Sequence, residues 1–380
     1  MRVLIVDDNA MNVMVIQEMM KRAGYAKISV AYSAEEMFRL LESPDGGESI
    51  PGFKIDLILL DMMMPVMDGI EACRLLQADS RFRDIPVIMV TAIGDSRKLA
   101  EALDAGATDF VTKPINKTEL LARIRSALRL KSELDWHKER DRRLREELHL
   151  ARQVQEAVLP ANAEERGLSV RAFFRSSEEL AGDLYAWHRG GERRWAFAVI
   201  DAMGHGISSA LVSMFAASVL KEAMQELWTP SKVFREVNRR LMGIRPDNEL
   251  VRYFCTGIYV TLDLDRGVLE YANAGHPPGF VFAGNGQRPE RLGATSAPLG
   301  MFEGLEYQAE SRPIRRGDRL YLFTDGILGP FEGEDEERIG RLSEYLLESS
   351  GEAGRLEALL DQVPLDGRSD DRCLVKIDMG

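Results

Sequence analysis

The sequence predicts a doubly wound α/β domain with a parallel sheet, then a long helix, then an α+β domain. Three observations support this prediction. Residues 1–125 alternate short apolar runs with amphipathic stretches, as parallel α/β folds do. Residues 124–158 contain neither Gly nor Pro and are rich in charged side chains. After Pro160 the chain breaks into short alternating runs separated by glycine turns, which is typical of antiparallel sheets.

Length and composition limit the possible functions. The chain has 380 residues, enough for two or three domains, and a net charge of −12 that disfavours binding to a nucleic-acid backbone. Cys73, Cys255 and Cys373 are far apart and form no CxxC pair, which fits reduced thiols in a reducing compartment. No apolar run approaches transmembrane length. We therefore expect a cytoplasmic protein that binds neither nucleic acid nor membranes.

The first domain, residues 1–125, is predicted from alternating strands and helices. The helices are expected at 11–23, 33–42, 68–78, 95–105 and 117–130. The stretch 42–55 is rich in Pro, Gly and Ser and is predicted to be a surface loop before the strand "LILLD".

Polar side chains follow the apolar strands of this domain. Asp7 and Asp8 follow "VLIV", Asp61 ends "LILLD", and the next two strands carry Thr91 and Lys113. The carboxyl ends of parallel strands meet at one edge of a sheet, so these groups should converge. Three neighbouring carboxylates repel one another unless a cation such as Mg²⁺ neutralises them. The Thr91 hydroxyl and the Lys113 ammonium group would then contact the oxygens of a phosphoryl group.

The motifs "VDDN", "LDMMMPVMDG", "VTA" and "TKP" resemble the CheY-like receiver domain of bacterial response regulators. The resemblance implies that Asp61 is the phosphoacceptor, taking phosphate from a histidine kinase or a small phosphodonor. It further implies a Mg²⁺ site, in which Asp8, Asp61 and the carbonyl of Met63 hold the ion and Asp7 assists. By the same resemblance, Thr91 and Lys113 sense the phosphate. Phe110 would be the aromatic switch residue, and Pro114 would follow a cis peptide bond.

The helix of the linker, residues 126–160, carries a heptad pattern. Apolar residues recur at spacings that sum threes and fours: Leu130, Leu134, Leu144, Leu148, Ala151 and Val158. His137, Asp141 and Gln155 fall on the same seam and weaken it. We expect a parallel coiled-coil dimer, with a single helix packed on its own domain as the alternative, and Pro160 as the end of the helix.

The last domain, residues 161–380, is predicted to be a sandwich of antiparallel sheets. The "DLDRG" segment lies between two alternating runs and predicts a hairpin. Two helical stretches stand out, at 207–226 and 231–242. Acidic residues lie at strand ends or beside glycines in this domain: Asp183, Asp201, Asp325 and Asp370. Four separated carboxylates could hold two metal ions about 3.5–4 Å apart, a pair suited to hydrolysis at phosphorus.

The segments "AGDLYAW", "AVIDAMGHGISSALVSM", "NAGHPPG", "LFTDGI" and "SDDRCLV" resemble the SpoIIE/RsbU branch of the metal-dependent protein phosphatases, relatives of protein phosphatase 2C. The lead-in "LARQVQEAVLP" is similar to that of the same branch. The resemblance implies catalytic and metal-binding roles, as follows: Asp201 bridges two Mn²⁺ or Mg²⁺ ions, the carbonyl of Ala202 adds a ligand, Asp325 and Asp370 bind one ion, and Asp183 binds through water or lies behind the ligands. Asp371 is the less certain member of the final acidic pair.

Three departures from that pattern concern the fine geometry of the pocket. Ala181 stands where a Gly is common, and Ala186 stands where an Asp often follows the Tyr. After "TDGI" the family usually has a Glu nearby, and this chain reads "LGPFEGEDEE" there. His205 is a candidate general acid, while His276 is expected to brace a turn.

Together these resemblances imply a phosphorylation-controlled phosphoserine/phosphothreonine phosphatase. Its substrate would be a phosphorylated STAS-domain anti-sigma factor antagonist in a partner-switching pathway, and the linker helix would form a homodimer. The alternative is a non-catalytic adaptor of the RssB type, which binds a sigma factor or anti-sigma regulator after losing its metal ligands. All four carboxylates are present in this sequence, which favours the enzyme.

Overall fold

The computed structural model describes residues 1–42, 54–92, 96–165, 167–204, 206–244, 253–284, 289–349, 351–362 and 370–380. It divides into two compact units, Met1–Leu144 and Arg145–Gly380. The division falls inside one continuous helix. Most of the predicted surface loop at 42–55, and His205, lie outside the described residues.

The first unit is built on a five-stranded parallel sheet. The strands are β1 (Val3–Val6), β2 (Ile28–Ala31), β3 (Leu57–Asp61), β4 (Val87–Ala92) and β5 (Asp109–Lys113), in the spatial order β2-β1-β3-β4-β5. The helices are α1 (Ala10–Arg22), α2 (Ala34–Glu42), α3 (Gly69–Ala78), α4 (Ser96–Asp104) and α5 (Lys117–Val158). Separate hydrophobic clusters cover the two faces of the sheet, so strands such as β1 and β3 are buried throughout. The predicted doubly wound fold is confirmed.

Helix starts in this unit follow from side-chain caps. The Asn9 side chain accepts a hydrogen bond from the N–H of Met11 ahead of α1, and Asp68 accepts one from Glu71 ahead of α3. Each cap directly precedes the observed helix. The observed bounds of α1 to α4 lie within one residue of the expected ones.

The long helix α5 runs without interruption from Lys117 to Val158 and ends before Pro160, as expected. Most seam positions, such as Leu134 and Leu144, are exposed on the single chain. Gln155 is an exception and corrects the seam prediction. It is buried because its side chain hydrogen-bonds to the backbone of Ala181 in the same unit, so it does not face outward with the seam.

The second unit contains two antiparallel sheets, which confirms the predicted sandwich. One sheet has the order β14-β11-β10-β9-β8, and the other has the order β13-β12-β15-β16-β7-β6. The strands are β6 (Ala163–Glu165), β7 (Leu168–Arg175), β8 (Asp183–Arg189), β9 (Arg194–Ala202), β10 (Cys255–Asp263), β11 (Val268–Ala274), β12 (Gly279–Phe282), β13 (Glu290–Leu292), β14 (Glu310–Pro313), β15 (Arg319–Phe323) and β16 (Arg372–Met379). The predicted "DLDRG" hairpin joins β10 to β11.

Helices cover the outer faces of the two sheets. They are α6 (Ile207–Glu226), α7 (Pro230–Leu241), α8 (Asp335–Glu348) and α9 (Ala353–Asp361). The first two pack on β8–β11, and the last two pack on the sheet that contains β15 and β16. Helices α6 and α7 match the two predicted helical stretches, whereas α8 and α9 were not predicted. The signals for α8 are its acidic first turn and the apolar spacing of Ile339, Leu342 and Leu346.

Between the sheets, side chains such as Val199, Ile258, Leu320 and Val375 form a continuous core. In the described part of the chain, α6 is long and apolar enough to cross a membrane by length and composition. More than half of its apolar window is buried inside the unit, as expected of a helix that packs on a sheet.

Candidate functional sites

The carboxyl ends of β1 and β3 bring three carboxylates together in the first unit. Asp7, Asp8 and Asp61 each place an oxygen within 4.8 Å of the others, and Asp7 and Asp61 are buried. Asp7 also accepts hydrogen bonds from the N–H of Asn9 at 2.9 Å and from Asn12 Nδ2 at 3.0 Å. Asn12, in the first turn of α1, was not among the predicted site residues. An all-oxygen pocket of this size fits one hard divalent cation.

Lys113, at the end of β5, neutralises part of this charge. Its Nζ lies 2.5 Å from Asp61 Oδ1 and 3.0 Å from Asp7 Oδ2. Burial raises the pKa of Asp61, and the hydrogen bond from Lys113 opposes that rise. Burial also works against the charge of Lys113, but hydrogen bonds to Asp61 and Asp7 raise the pKa of Lys113 overall. The ammonium group therefore stays charged beside the predicted phosphoacceptor.

The other residues predicted for this site make contacts of different kinds. The N–H of Met63 donates to Asp61 Oδ2 at 3.3 Å. The Thr91 hydroxyl donates to the carbonyl of Ala92 at 3.2 Å, and its described hydrogen bonds do not include Asp61. Phe110 is half-buried, and the guanidinium of Arg123 lies 5.4 Å from the centre of its ring. The Lys113–Pro114 peptide bond is cis, as expected.

Gly69 shows why the motif after Asp61 needs a glycine. A Cβ at this position would lie 2.2 Å from the backbone carbonyl oxygen of Asp61. The N–H of Gly69 donates to the carbonyl of Met62 at 3.0 Å, so the loop folds back onto the end of β3. Any side chain here would displace the backbone that carries the carboxylate.

A second acidic set lies in the other unit, where β8 and β9 pair. Asp183 and Asp201 are directly opposite each other across these antiparallel strands, and Thr256 of β10 is opposite Asp201 on the other side. Asp183 is 2% exposed. Ala202, the next residue of β9, is buried, and its N–H donates to the carbonyl of Gly182 at 3.2 Å.

The remaining acidic residues come from two neighbouring segments. Asp325 opens a short 3-10 helix, Asp325–Leu328, directly after β15. Asp370 and Asp371 directly precede β16. A Cβ on Gly326 would lie 2.0 Å from the carbonyl oxygen of Asp371, so only glycine lets the two segments come this close.

Three of these carboxylates share a cavity of about 730 Å³. Asp201, Asp325 and Asp370 lie in its lining, while Asp183 lies behind it in the strand pair. Among the described residues, the second set does not place three carboxylate oxygens mutually within 4.8 Å, as the first set does.

Burial and mutual repulsion dominate the electrostatics of this cavity. Burial, with the charges of Asp325 and Asp370, raises the pKa of Asp201 to about 7. Burial and Asp370 raise the pKa of Asp325, and burial followed by the charge of Asp201 raises the pKa of Asp183 well above its usual range. Neutralising this set requires protons or cations.

The donor set fits hard divalent cations. It consists of carboxylates, with backbone carbonyls nearby, and Asp183 Oδ2 is buried without a hydrogen-bond partner among the described residues. A buried carboxylate oxygen without a donor is unfavourable unless a cation satisfies it. Mg²⁺ and Mn²⁺ prefer such oxygen ligands.

Asp371 is engaged differently from Asp370. It is 3% exposed, and it accepts hydrogen bonds from the N–H of Ser177 at 2.7 Å and the N–H of Gly182 at 2.6 Å. Backbone donors therefore occupy both of its oxygens. Asp371 ties the strand that carries Asp183 to β16, and Asp370 is the member of the pair that lines the cavity.

His276 also lines the cavity but is held in the fold. Its ring Nδ1 lies 2.8 Å from the Thr256 hydroxyl, and its backbone N–H donates to Asn273 Oδ1 at 2.8 Å. Burial lowers the pKa of His276 to about 3, so the ring is neutral near pH 7. These contacts are those of a residue that braces a turn.

Comparisons with known proteins match each unit to a different family. Residues 191–380 match the family model described as Stage II sporulation protein E (SpoIIE), and residues 3–125 match the response regulator receiver domain. The chain is 34% identical over 242 residues to phosphoserine phosphatase RsbP of Bacillus subtilis, covering 61% of this chain and 58% of RsbP. It is 36% identical over 140 residues to response regulator PleD of Caulobacter vibrioides, covering 37% of this chain and 29% of PleD. The chain thus spans less than two thirds of either relative.

The fold of the second unit also occurs in a solved structure. The SiaA-PP2C domain of Pseudomonas aeruginosa superposes with a TM-score of 0.54 at 19% identity, covering 63% of this chain and 98% of that domain. At this identity the likeness shows the fold alone.

Proposed function

Because this chain belongs to the SpoIIE family and carries an amino-terminal receiver domain, we propose that it is a metal-dependent protein serine/threonine phosphatase controlled through the receiver. The observation that carries the proposal is the acidic cavity of the second unit. Asp201, Asp325 and Asp370 line one space of about 730 Å³, and Asp183 holds an unpartnered buried oxygen behind it.

In this proposal the carboxylates hold two Mn²⁺ or Mg²⁺ ions. Asp201 lines the cavity with Asp325 and Asp370 and would be a ligand shared by the two ions, with the carbonyl of Ala202 as a further ligand. Asp325 and Asp370 would bind one ion, and Asp183 would lie behind the ligands or bind through water. The ion pair, when bound, would supply an activated water and charge stabilisation for hydrolysis of a phosphomonoester. Asp371 positions the Gly182–Asp183 backbone through its hydrogen bonds.

In the first unit we assign the phosphoacceptor role to Asp61. A carboxylate oxygen of Asp61 would attack the phosphorus of a phosphohistidine or small phosphodonor, and the bond from phosphorus to the donor would break. Mg²⁺ would be held by Asp7, Asp8, Asp61 and Met63. Lys113 already contacts Asp61, while Thr91 must turn its hydroxyl from Ala92 to reach a phosphoryl oxygen.

The remaining assignments follow the family. We propose that the substrate is a phosphorylated STAS-domain anti-sigma factor antagonist, that the phosphodonor is a histidine kinase or a small phosphodonor, and that the protein acts in the cytoplasm. Residues 126–160 are proposed to form the linker between receiver and phosphatase and to pair with a second copy. The exposed apolar side chains of α5, such as Leu130, Leu134 and Leu144, support this pairing.

One experiment separates the enzyme from a non-catalytic adaptor of the RssB type. The full chain is incubated with Mn²⁺ and a phosphorylated STAS-domain protein encoded near its own gene, and released phosphate is measured. Phosphate release that needs Mn²⁺ and disappears in Asp201→Ala supports the phosphatase. Stable binding of the partner without any release would instead favour the adaptor.

A further inference from the structure

The acidic cavity also contains basic side chains that the assigned chemistry does not use. In the described part of the chain, Arg291 and Arg338 are the two arginines in its lining, which also contains Asp201, Asp325 and Asp370. A phosphomonoester brings up to two negative charges into this space. Basic groups on the wall are therefore candidates to bind it.

Arg338 is attached to the segment that carries Asp325. Its Nε donates to the carbonyl of Leu328 at 3.2 Å, and Leu328 is the last residue of the 3-10 helix that Asp325 begins. Arg338 and Asp325 also line the same cavity. The guanidinium is thus attached to the helical turn that carries a predicted metal ligand.

The terminal nitrogens of Arg338 are held weakly. Nη1 contacts Asp335 at 3.2 Å, and the Asp335 side chain is 83% exposed. Nη2 makes no hydrogen bond to the described residues. An ion pair with an exposed carboxylate contributes little, so a phosphoryl oxygen can replace Asp335 at small cost. The planar fork of arginine can then present two N–H groups to one phosphoryl group.

Arg291 differs in its attachment. It belongs to β13, and its Nη1 donates to Glu336 at 2.7 Å. Arg338 is instead linked to the helical turn of Asp325, so its position is fixed relative to that carboxylate. We propose that Arg338 binds the phosphoryl group of the substrate at this site, an inference that rests on the proposed phosphatase activity.

The test uses the full chain with Mn²⁺, p-nitrophenyl phosphate as substrate and inorganic phosphate as competing ligand. Arg338→Ala should raise both KM and the inhibition constant of phosphate about tenfold or more, because a charged hydrogen-bond partner is lost. Arg338→Lys should recover part of the affinity, since it restores the charge without the fork. Arg341→Ala is the matched control, because Arg341 is exposed on the same helix and outside the cavity lining.

A purely structural role would give a different result. If Arg338 only supports the 3-10 helix, the Lys and Ala variants should lose Mn²⁺ affinity and thermal stability alike, and phosphate affinity at saturating Mn²⁺ should not change. That result would overturn the proposal, as would wild-type phosphate inhibition of Arg338→Ala. Should the Ala variant fail to fold, Arg338→Gln and Arg338→Lys carry the same comparison.

The outcome also separates this inference from the proposed function. A metal-loaded wild type without turnover would refute the phosphatase and, with it, the role of Arg338. An active wild type whose Arg338→Ala variant binds phosphate normally would refute the inference alone.

Discussion

The side-chain amide of Gln155 pairs with both backbone groups of Ala181: Nε2 donates to the carbonyl at 2.7 Å, and Oε1 accepts from the N–H at 3.0 Å. Ala181 directly precedes Gly182 and Asp183, the start of β8. The last turn of α5 is thereby attached to the segment that brings Asp183 to the acidic cavity. Gln155 therefore ties the helix to β8, the strand that carries Asp183.

Replacing Gln155 should destabilise this attachment. Gln155→Ala leaves the buried N–H of Ala181 without its partner and leaves its carbonyl with only the Ser213 hydroxyl at 3.4 Å, at a cost of about 1–3 kcal/mol of unfolding free energy. Thermal and denaturant unfolding of the full chain measure the loss. Gln153→Ala is the matched control, since Gln153 is exposed two residues earlier on the same helix. Equal stability of the two variants would show that the pairing contributes nothing.

Asp61→Asn should block phosphorylation of the receiver. The amide cannot form an acyl phosphate, so acetyl phosphate or beryllofluoride with Mg²⁺ should modify the wild type and leave the variant unmodified. Mass spectrometry of the intact protein detects the difference for acetyl phosphate. The control is Asp56→Asn, which lies before β3 at the opposite end of the strand from Asp61. Undiminished labelling of Asp61→Asn would place the acceptor elsewhere.

Asp201→Ala and Asp325→Ala should each abolish Mn²⁺-dependent turnover while the fold persists. Removing one carboxylate relieves repulsion among those that remain, so the metal-free variants should unfold at temperatures no lower than the wild type. The rise in Tm that Mn²⁺ gives the wild type should shrink in both variants. Glu303→Ala, an exposed position outside the cavity lining, is the control. Wild-type turnover in both Asp variants would refute the two-ion assignment.

The metal-free protein should lose stability as pH rises from about 4 to about 7. Burial and the neighbouring carboxylates raise the pKa of Asp201 from its ordinary value of 3.8 to about 7. In this window the folded state holds a proton that the unfolded state has released, so raising the pH favours unfolding. Thermal unfolding in the presence of a chelator at several pH values measures how steeply Tm falls with pH. Asp201→Asn should make this pH dependence weaker. An unchanged pH dependence of Tm would mean that other groups control it.

The first site could be predicted because its chemistry follows from topology. Once Asp7 and Asp61 are placed at the ends of neighbouring parallel strands, their convergence needs no further information, and Lys113 follows from the last strand. Helix bounds were also readable, because side chains such as Asn9 and Asp68 mark the starts locally.

The second site depended more on tertiary packing. Its acidic residues were recognised at strand ends or beside glycines, but their individual roles came from a resemblance, since Asp183 and Asp370 are distant in sequence and meet only after two sheets have packed. Gln155 was assigned to an outward seam because heptad spacing takes no account of a partner strand at Ala181. Arg338 was not singled out because α8, the helix on which it lies, was not predicted.

The continuity of α5 yields the last prediction, on coupling between the receiver and the phosphatase. The helix begins three residues after Pro114, close in sequence to Lys113, which we propose senses the phosphate, and extends without a break to Gln155, which binds the segment leading into β8. A phosphoryl group on Asp61 adds about 1.5–2 negative charges. The side chains of Lys113 and Thr91 can move toward the phosphoryl oxygens in response. A continuous helix can carry a rotation or a change of dimer packing over this length, whereas a flexible chain cannot.

A flexible Gly-Ser segment of one heptad inserted near Arg142 should therefore leave both sites intact but uncouple them. Phosphatase rates are compared with and without beryllofluoride, which should alter the wild-type rate and leave the insertion variant unchanged. The matched control is an insertion of one heptad of helix-forming residues at the same position, which preserves both the helix and its register and should retain the response. The Asp61→Asn variant confirms that beryllofluoride acts through the receiver. If the Gly-Ser variant responded as the wild type does, α5 would not be the element that connects the two sites.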